Sequence, residues 1–361
     1  MFQGIGILLS RVISLFVFTA SLILLTGCND SPVISKISGP TMGTEYHISW
    51  VSDKQGKEEL DNEKQKLKQL VDNLLIDFNK SMSTYDPSSE LSVINNGSVQ
   101  DANVDFDSGW QVISADLYRV LMMSKQINQQ SNGAFDVTVG PLVNLWGFGP
   151  VESQNKIPKQ DDIQSMLQQV GSDAINLRQS EKSFQLQLTS QRYIDLSAIA
   201  KGDAVDVLGL LLQRQGIENY LVEVGGEIIA HGIKPKNQPW RIAIEAPNDD
   251  GRSVHIIIPL SNMGVATSGD YRNFFEQDGQ RFSHTIDGRT GFPVKHNLAS
   301  VTVLHESVAM ADAWATALTV LGAEEGLKLA EKHSLAAYFI VRTDKGFEQH
   351  ASQRFEQLRL N

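Results

Sequence analysis

The chain has 361 residues, a formal net charge of −11, 28 glycines and a single cysteine. That length can bury a substantial core, in one large domain or two moderate ones. An acidic balance with no lysine- or arginine-rich block lacks the basic stripe that binds phosphate backbones, so no nucleic-acid partner is expected. One cysteine also excludes an internal disulfide.

Residues 1–28 read as a secretory signal. Arg11 precedes an apolar stretch from Val12 to Leu25, which is too short and too weakly flanked for a transmembrane anchor. "LLTGC" then resembles a bacterial lipobox, in which Cys28 is acylated and becomes the mature N-terminus. The expected product is a lipoprotein on the periplasmic side of the inner membrane, with the outer membrane as the alternative. Residues 29–38 are expected to be a polar tether, and 39–361 the folded domain.

"TEYHISWVS" alternates like a strand. From Glu58 to Ser81, Leu60, Leu67, Leu70, Val71, Leu74, Leu75 and Phe78 recur at helical spacing. A second helix is predicted from about Trp110 to Gln129, stopped by "SNG", and a short one around Asp161–Val170. "NLWGFGP" and "VESQNKIPKQ" are predicted loops. The second half is strand-rich: "SFQLQLTS", "YLVEVGG", "EIIAHG", "WRIAIEAP", "HIIIPL", "LASVTVL" and "AAYFIVRT" are bounded by Gly, Pro or Asn. Helices are expected near Ser197 and Ser307. Without the strict alternation of a doubly wound sheet, the pattern predicts α+β, mixed sheets with helices. A boundary near residues 150–180 is not clearly marked.

No Walker-type phosphate loop, nucleophile elbow or H-E-x-x-H occurs. Six stretches combine turn glycines with polar or aromatic groups. "GPTMGTEYHISW" is a tight turn before a strand, or a place where backbone meets a ligand. In "MSTYDPSSELSVIN", Tyr85 is a half-buried tyrosine or a stacking platform. "NGAFDVTVGPLVNLWGFG" offers Asp136 beside glycines that permit close backbone approach. In "YIDLSAIAKGDAVDVL", Asp195 ends a strand and Lys201 follows a helix start, so amides and an ammonium can face an anion. "LVEVGGEIIAHG" reads as a hairpin. "FSHTIDGRTGFPV" places His284 by a polar turn, as general base, ligand or neither.

A seventh stretch, "SVAMADAWATALTVLG", holds Asp312 and Thr316 four residues apart, on one face of a helix. Either that face is solvated or the carboxylate is buried, and a buried carboxylate needs a cation, a metal or donors.

Taken in order, "GPTMGT", "IDLSAIAKG", "VEVGGE", "HTIDGRTG" and "ADAWATAL" resemble the ApbE family, the FAD:protein FMN transferases, over nearly the whole mature chain. The resemblance implies an ApbE-like fold with the FAD site between two lobes. It implies transfer of the FMN half of FAD to a threonine or serine hydroxyl of a partner protein, releasing AMP. Asp312, Thr316 and the Ala198 carbonyl are implied as Mg2+ ligands, all hard oxygens. FAD-binding roles fall on Met42, Tyr85, Ala134, Phe135, Asp136, Asp195, Lys201 and Ile286, and proton abstraction on His284. The implied acceptors are subunits of membrane redox complexes, of the sodium-translocating NADH:quinone reductase or Rnf type. Alternative readings are a FAD pyrophosphatase giving FMN and AMP, or a flavin-binding lipoprotein without chemistry.

Overall fold

The structure, a computed structural model, describes residues 32–97, 104–105, 109–149, 157–181, 183–246, 253–269, 274–277 and 279–359. The signal segment and Cys28 lie outside the described residues. Eight strands form the main sheet, in the spatial order β1 (Val33–Thr41), β2 (Thr44–Ser52), β7 (Tyr220–Val224), β8 (Glu227–His231), β11 (Met263–Gly269), β16 (Leu298–His305), β17 (Ala336–Thr343) and β18 (Gly346–Ala351). Every neighbouring pair in it is antiparallel. A smaller sheet has the order β3 (Val104–Asp105), β4 (Trp110–Ile113), β6 (Phe184–Leu188), β5 (Ile175–Gln179). Three hairpins complete the strands: β9 (Trp240–Ala246) with β10 (Ser253–Leu260), β12 (Phe274–Gln277) with β13 (Gln280–Ser283), and β14 (Ile286–Asp287) with β15 (Phe292–Pro293).

The helices are α1 (Lys57–Met82), α2 (Glu90–Asn95), α3 (Ala115–Gln130), α4 (Gly140–Leu145), α5 (Gln160–Leu167), α6 (Ala200–Arg214), α7 (Val308–Lys332) and α8 (Gln353–Arg359). One face of the main sheet, with Tyr46, Ile48, Val222, Val301 and Phe339, packs on α1, α3, α6 and α7 in the largest apolar cluster. The opposite face, with Val265, Leu304, Tyr338 and Ile340, is closed by Trp240 and Ile242 of β9 and Phe355 of α8. Because both faces are covered, β16 is buried along nearly its whole length and reads as one apolar run rather than an alternation. A third cluster joins Leu142, Trp146 and Ile163 to Phe275, Phe282 and Ile286. Helix α7 is buried on all sides through much of its length, as its alanine-rich sequence allows.

Four expectations need correction, the first being the strand expected to end at Asp195: residues 191–196 form no strand. Residues 33–38, expected as tether, are part of β1, an edge strand paired with β2 along its length. Trp110–Ile113 is a strand paired with Phe184–Leu186, so the predicted helix begins later, at Ala115. The reason is the cap: the Ser114 hydroxyl accepts the Leu117 amide at 3.2 Å, fixing the first turn. Asn144 and Leu145, expected in a loop, end α4.

Candidate active site

Two helix N-termini meet under the main sheet, and a glycine makes the meeting possible. A Cβ on Gly202 would lie 2.4 Å from the Val308 carbonyl oxygen, so only glycine lets α6 approach the start of α7 this closely. From the next turn of α6, Asp206 caps α7. Its carboxylate accepts the Val308 amide at 2.8 Å, the Ala309 amide at 3.1 Å and the Ser307 hydroxyl at 2.7 Å. Asp203, 2 % exposed, takes a bidentate pair from Arg119 of α3 at 3.2 and 2.7 Å. These contacts fix the register of α6 against α7.

That register presents Asp312, 6 % exposed, to the start of α6. The Gly202 amide, which in a regular helix would close on the Ala198 carbonyl, donates to Asp312 Oδ2 at 3.2 Å. Lys201 Nζ stands 3.9 Å from the same oxygen and donates to Glu227 Oε1 at 2.6 Å. Glu227 is 3 % exposed, and its Oε2 is buried without a hydrogen-bond partner. Burial pushes the Asp312 carboxyl up, against the pull of Lys201. Burial likewise pushes Glu227 up to about 7. The Lys201 ammonium is disfavoured by burial, but Asp312 and Glu227 outweigh that and hold it above its ordinary range. With both carboxylates ionised, one ammonium serves two buried anions, and the cluster is a cation short.

The donors suit a hard cation. Among the described residues no group of three or more His, Cys, Asp or Glu is arranged to hold a metal. A cation here would therefore draw on one carboxylate plus a hydroxyl and a carbonyl, the set that Asp312, the half-buried Thr316 and Ala198 offer.

Two hairpin tips complete this part of the site. Thr41 pairs with Thr44, leaving Met42 (φ 49°) and Gly43 (φ 71°) as a two-residue turn, both left-handed. A methionine there is a costly choice, since the left-handed region favours glycine or asparagine. Met42 nonetheless packs, partly buried, against the main core. The β7–β8 tip is Gly225-Gly226, and a Cβ on Gly225 would lie 2.9 Å from Thr44 Cγ2 and 3.4 Å from Lys201 Cδ. The Gly225 amide donates to the Glu45 carbonyl at 3.2 Å. The Gly225-Gly226 tip thus lies between Lys201 and the β1–β2 turn.

A second group forms around residues 133–140. Ala134 and Phe135 are buried. Asp136 Oδ1 accepts the Thr138 amide at 2.8 Å, the Thr138 hydroxyl at 2.6 Å and the Ser172 hydroxyl at 2.7 Å. Its Oδ2 accepts from Asn128 and from the Ser172 amide, each at 3.2 Å. Asp136 organises the backbone here. A Cβ on Gly140 would lie 2.5 Å from the Tyr193 ring and 3.4 Å from Asp195 Cβ, and the Asp195 amide donates to the Val137 carbonyl at 2.7 Å. Asp195 Oδ1 accepts the Ser197 amide at 2.9 Å, turning the chain toward α6.

The 284–291 loop packs on the same group: a Cβ on Gly288 would be 3.8 Å from Asp136 Cβ. Ile286 is buried, and Asp287 pairs with Arg289 at 2.8 Å. His284 is half-buried, with its ring edge-on to Phe148 at 6.3 Å between centroids. Tyr85 is 73 % exposed on the loop after α1. The nearby Tyr193 hydroxyl is pushed up by burial and then by Asp195 and Tyr85, against the pull of Thr84.

The sequence-predicted residues therefore gather in two places. Met42, Ala198, Lys201, Asp312 and Thr316 belong to the helix crossing and hairpin tips. Tyr85, Ala134, Phe135, Asp136, Asp195, His284 and Ile286 belong to the loop assembly, and residues 195–201 run between the two. Sequence reasoning assigned nothing to Glu227, Gly202, Asp206 or Arg119. "VEVGGE" and "AKGDAVD" carry a signal for the first three, as acids and a glycine flanking Lys201 or a turn. Arg119 has none, sitting on an ordinary amphipathic helix.

Residues 42–339 match the sequence model of the ApbE family. The chain belongs to the ApbE family. The FAD:protein FMN transferase of Haemophilus influenzae is 41% identical over 352 residues, covering 97% of this chain and 99% of that protein. The FAD:protein FMN transferase of Vibrio cholerae is 42% identical over 337 residues, covering 93% and 96%. Among solved structures of the family, the flavin transferase ApbE from Vibrio cholerae superposes with a TM-score of 0.78 at 40% identity, covering 91% of this chain and 99% of its own.

Proposed function

We propose that this ApbE-family chain is a Mg2+-dependent FAD:protein FMN transferase. It moves the FMN part of FAD to a threonine or serine hydroxyl of a partner protein and releases AMP. The observation that carries the reading is the buried Lys201–Glu227–Asp312 cluster, two carboxylates on one ammonium, at the start of α6 and beside the Gly225-Gly226 hairpin tip. A pyrophosphate brings negative charge, and a site for it needs amides, an ammonium and a place for a divalent cation. The names of the relatives point the same way.

In the reaction the acceptor oxygen forms a bond to the FMN phosphorus, and the bond from that phosphorus to the oxygen bridging to AMP breaks. Asp312, Thr316 and the Ala198 carbonyl would hold the cation, which would neutralise charge on the pyrophosphate oxygens. Lys201 offsets phosphate charge from the other side. His284 takes the proton of the incoming hydroxyl. Tyr85, exposed and aromatic, offers a face to the isoalloxazine, and Met42, Ala134, Phe135, Asp136, Asp195 and Ile286 would line the rest of the flavin site.

The cell context belongs to the same proposal. Its support is the lipobox-like "LLTGC": Cys28 would be acylated ahead of the domain and would hold the enzyme on the periplasmic side of the inner membrane. Among the described residues no helix is long and apolar enough to cross a membrane. The acceptors would be subunits of membrane redox complexes of the sodium-translocating NADH:quinone reductase or Rnf type. The test is to incubate the protein with FAD, Mg2+ and such a subunit, then run a denaturing gel. Flavin fluorescence should stay with the acceptor band, and its absence with every threonine-bearing acceptor tried would overturn the transferase reading.

A further inference from the structure

The least satisfied atom near the helix crossing is Glu227 Oε2, buried and without a hydrogen-bond partner. Its sister oxygen holds Lys201 at 2.6 Å, and Lys201 stands 3.9 Å from Asp312 Oδ2. The two carboxylates flank one ammonium, and those two oxygens lie no farther apart than the two legs allow. An orphaned carboxylate oxygen in a protein interior is costly, so it is kept where something else supplies a donor. Among the described residues no hydrogen-bond donor reaches Oε2. Glu227 also follows directly on the Gly225-Gly226 tip, whose backbone abuts both Lys201 and the β1–β2 turn, so the unpartnered oxygen belongs to the place where a ligand would lie.

We propose that Glu227 is a positioning residue for the divalent cation: its free Oε2 accepts a hydrogen bond from a water in the cation's coordination shell. This rests on the reading that Asp312 is a ligand of that cation. Magnesium keeps several waters and binds through only one or two carboxylates, so waters that need acceptors are the expected form of its shell. The path from an Asp312 oxygen through the cation and one of its waters to Glu227 Oε2 has legs of about 2.1, 2.1 and 2.8 Å, so it reaches roughly 7 Å when extended and less when bent, a span that suits two carboxylates flanking one ammonium. Glu227 then has two tasks, one per oxygen. It fixes the Lys201 ammonium through Oε1 and orients the hydrated cation through Oε2. In charge terms, a dication would favour the ionised form of both carboxylates and leave the cluster with a net positive charge, ready for a pyrophosphate.

The test measures cation binding directly, with Mn2+ as the probe and electron paramagnetic resonance as the readout, on full-length protein in detergent without FAD. Glu227→Gln keeps the shape and an oxygen near Lys201 but removes the charge. Loss of an outer-shell partner typically weakens metal affinity about 10–100-fold, and that is the change expected for Glu227→Gln. Its FAD affinity in EDTA, which depends on Lys201, should fall by a smaller factor than its Mn2+ affinity, with a melting temperature no lower than wild type. Glu227→Asp, which keeps the carboxylate, should bind Mn2+ more tightly than Glu227→Gln. Mn2+ affinity unchanged in Glu227→Gln, with FAD binding in EDTA weakened instead, would mean that Glu227 only holds Lys201 and would overturn the proposal. Asp312→Asn separates the layers. If Asp312→Asn loses Mn2+ while Glu227→Gln does not, the Glu227 role alone fails; if neither variant loses it, the Asp312 site fails as well.

Discussion

Gly202→Ala tests the helix crossing on which the candidate site is built. The added methyl would sit 2.4 Å from the Val308 carbonyl oxygen and 2.8 Å from Ala309 Cα, where ordinary contact starts at 3.4 Å. Both atoms are backbone, so relief requires α6 and α7 to separate by about an ångström, since no side chain can rotate away. Overpacking of this kind costs about 1–3 kcal/mol. The same displacement stretches the Gly202 amide to Asp312 contact, already 3.2 Å, and a hydrogen bond to a charged group is worth about 1.5–3 kcal/mol. Alanine returns about 1 kcal/mol of helix propensity. The expected net loss is roughly 2–4 kcal/mol in urea unfolding, together with weakened cation binding. Gly209→Ala, on the same helix, is the control. Its methyl would meet the Tyr220 hydroxyl at 3.0 Å, a tight contact but with the end of a side chain, so the change should stay within about 1 kcal/mol. Equal stability of Gly202→Ala and wild type, with unchanged Mn2+ affinity, would refute the close-approach argument.

Asp312→Ala should reduce Mg2+-dependent turnover by orders of magnitude, on the scale of several kcal/mol of lost charge stabilisation, while FAD affinity in EDTA changes much less; single-turnover kinetics and flavin titration check both. His284→Asn should slow FMN transfer about 10²–10⁴-fold and leave FAD and Mn2+ binding intact, and an unaffected rate would make His284 a loop residue. Burial holds the Glu227 carboxyl at about 7 in the folded chain, above its ordinary 4.5. A carboxyl raised on folding contributes stability that is fully present below its unfolded value and is lost as pH rises through the folded one. Cation-free wild type should therefore lose stability relative to Glu227→Gln between about pH 4.5 and 7, measured by urea unfolding across pH; a constant difference would contradict the burial argument.

Periodicity located the long amphipathic elements well. The apolar spacing from Leu60 to Phe78 predicted α1, which runs Lys57–Met82, and each of the seven second-half stretches overlaps an observed strand, several of them running one or two residues past its end. What it missed had no period to read. "MGVATSG" forms β11 in the middle of the main sheet, yet it is short, small and flanked by glycine, and neighbours on both sides supply its pairing. "VISKIS" looked like a tether because its alternation runs into a polar segment, and an edge strand needs only one partner. Within the candidate site, the Asp312 and Thr316 spacing was legible because a carboxylate in an alanine-rich helix is expensive. Glu227 was not, since a Gly-Gly hairpin followed by an acid is also what an exposed turn looks like. Its meaning lies in burial, which only the packing of β8 beside α6 reveals.

The central claim is that FAD cleavage at this site is coupled to an acceptor hydroxyl and depends on Asp312. The most direct measurement follows AMP release and covalent flavin together, for wild type and Asp312→Ala, with and without an acceptor subunit. Wild type should release AMP only when the acceptor is present, one AMP for each flavin attached, and Asp312→Ala should do neither at a comparable rate. AMP released equally fast without acceptor, or flavin attached undiminished by Asp312→Ala, would contradict it.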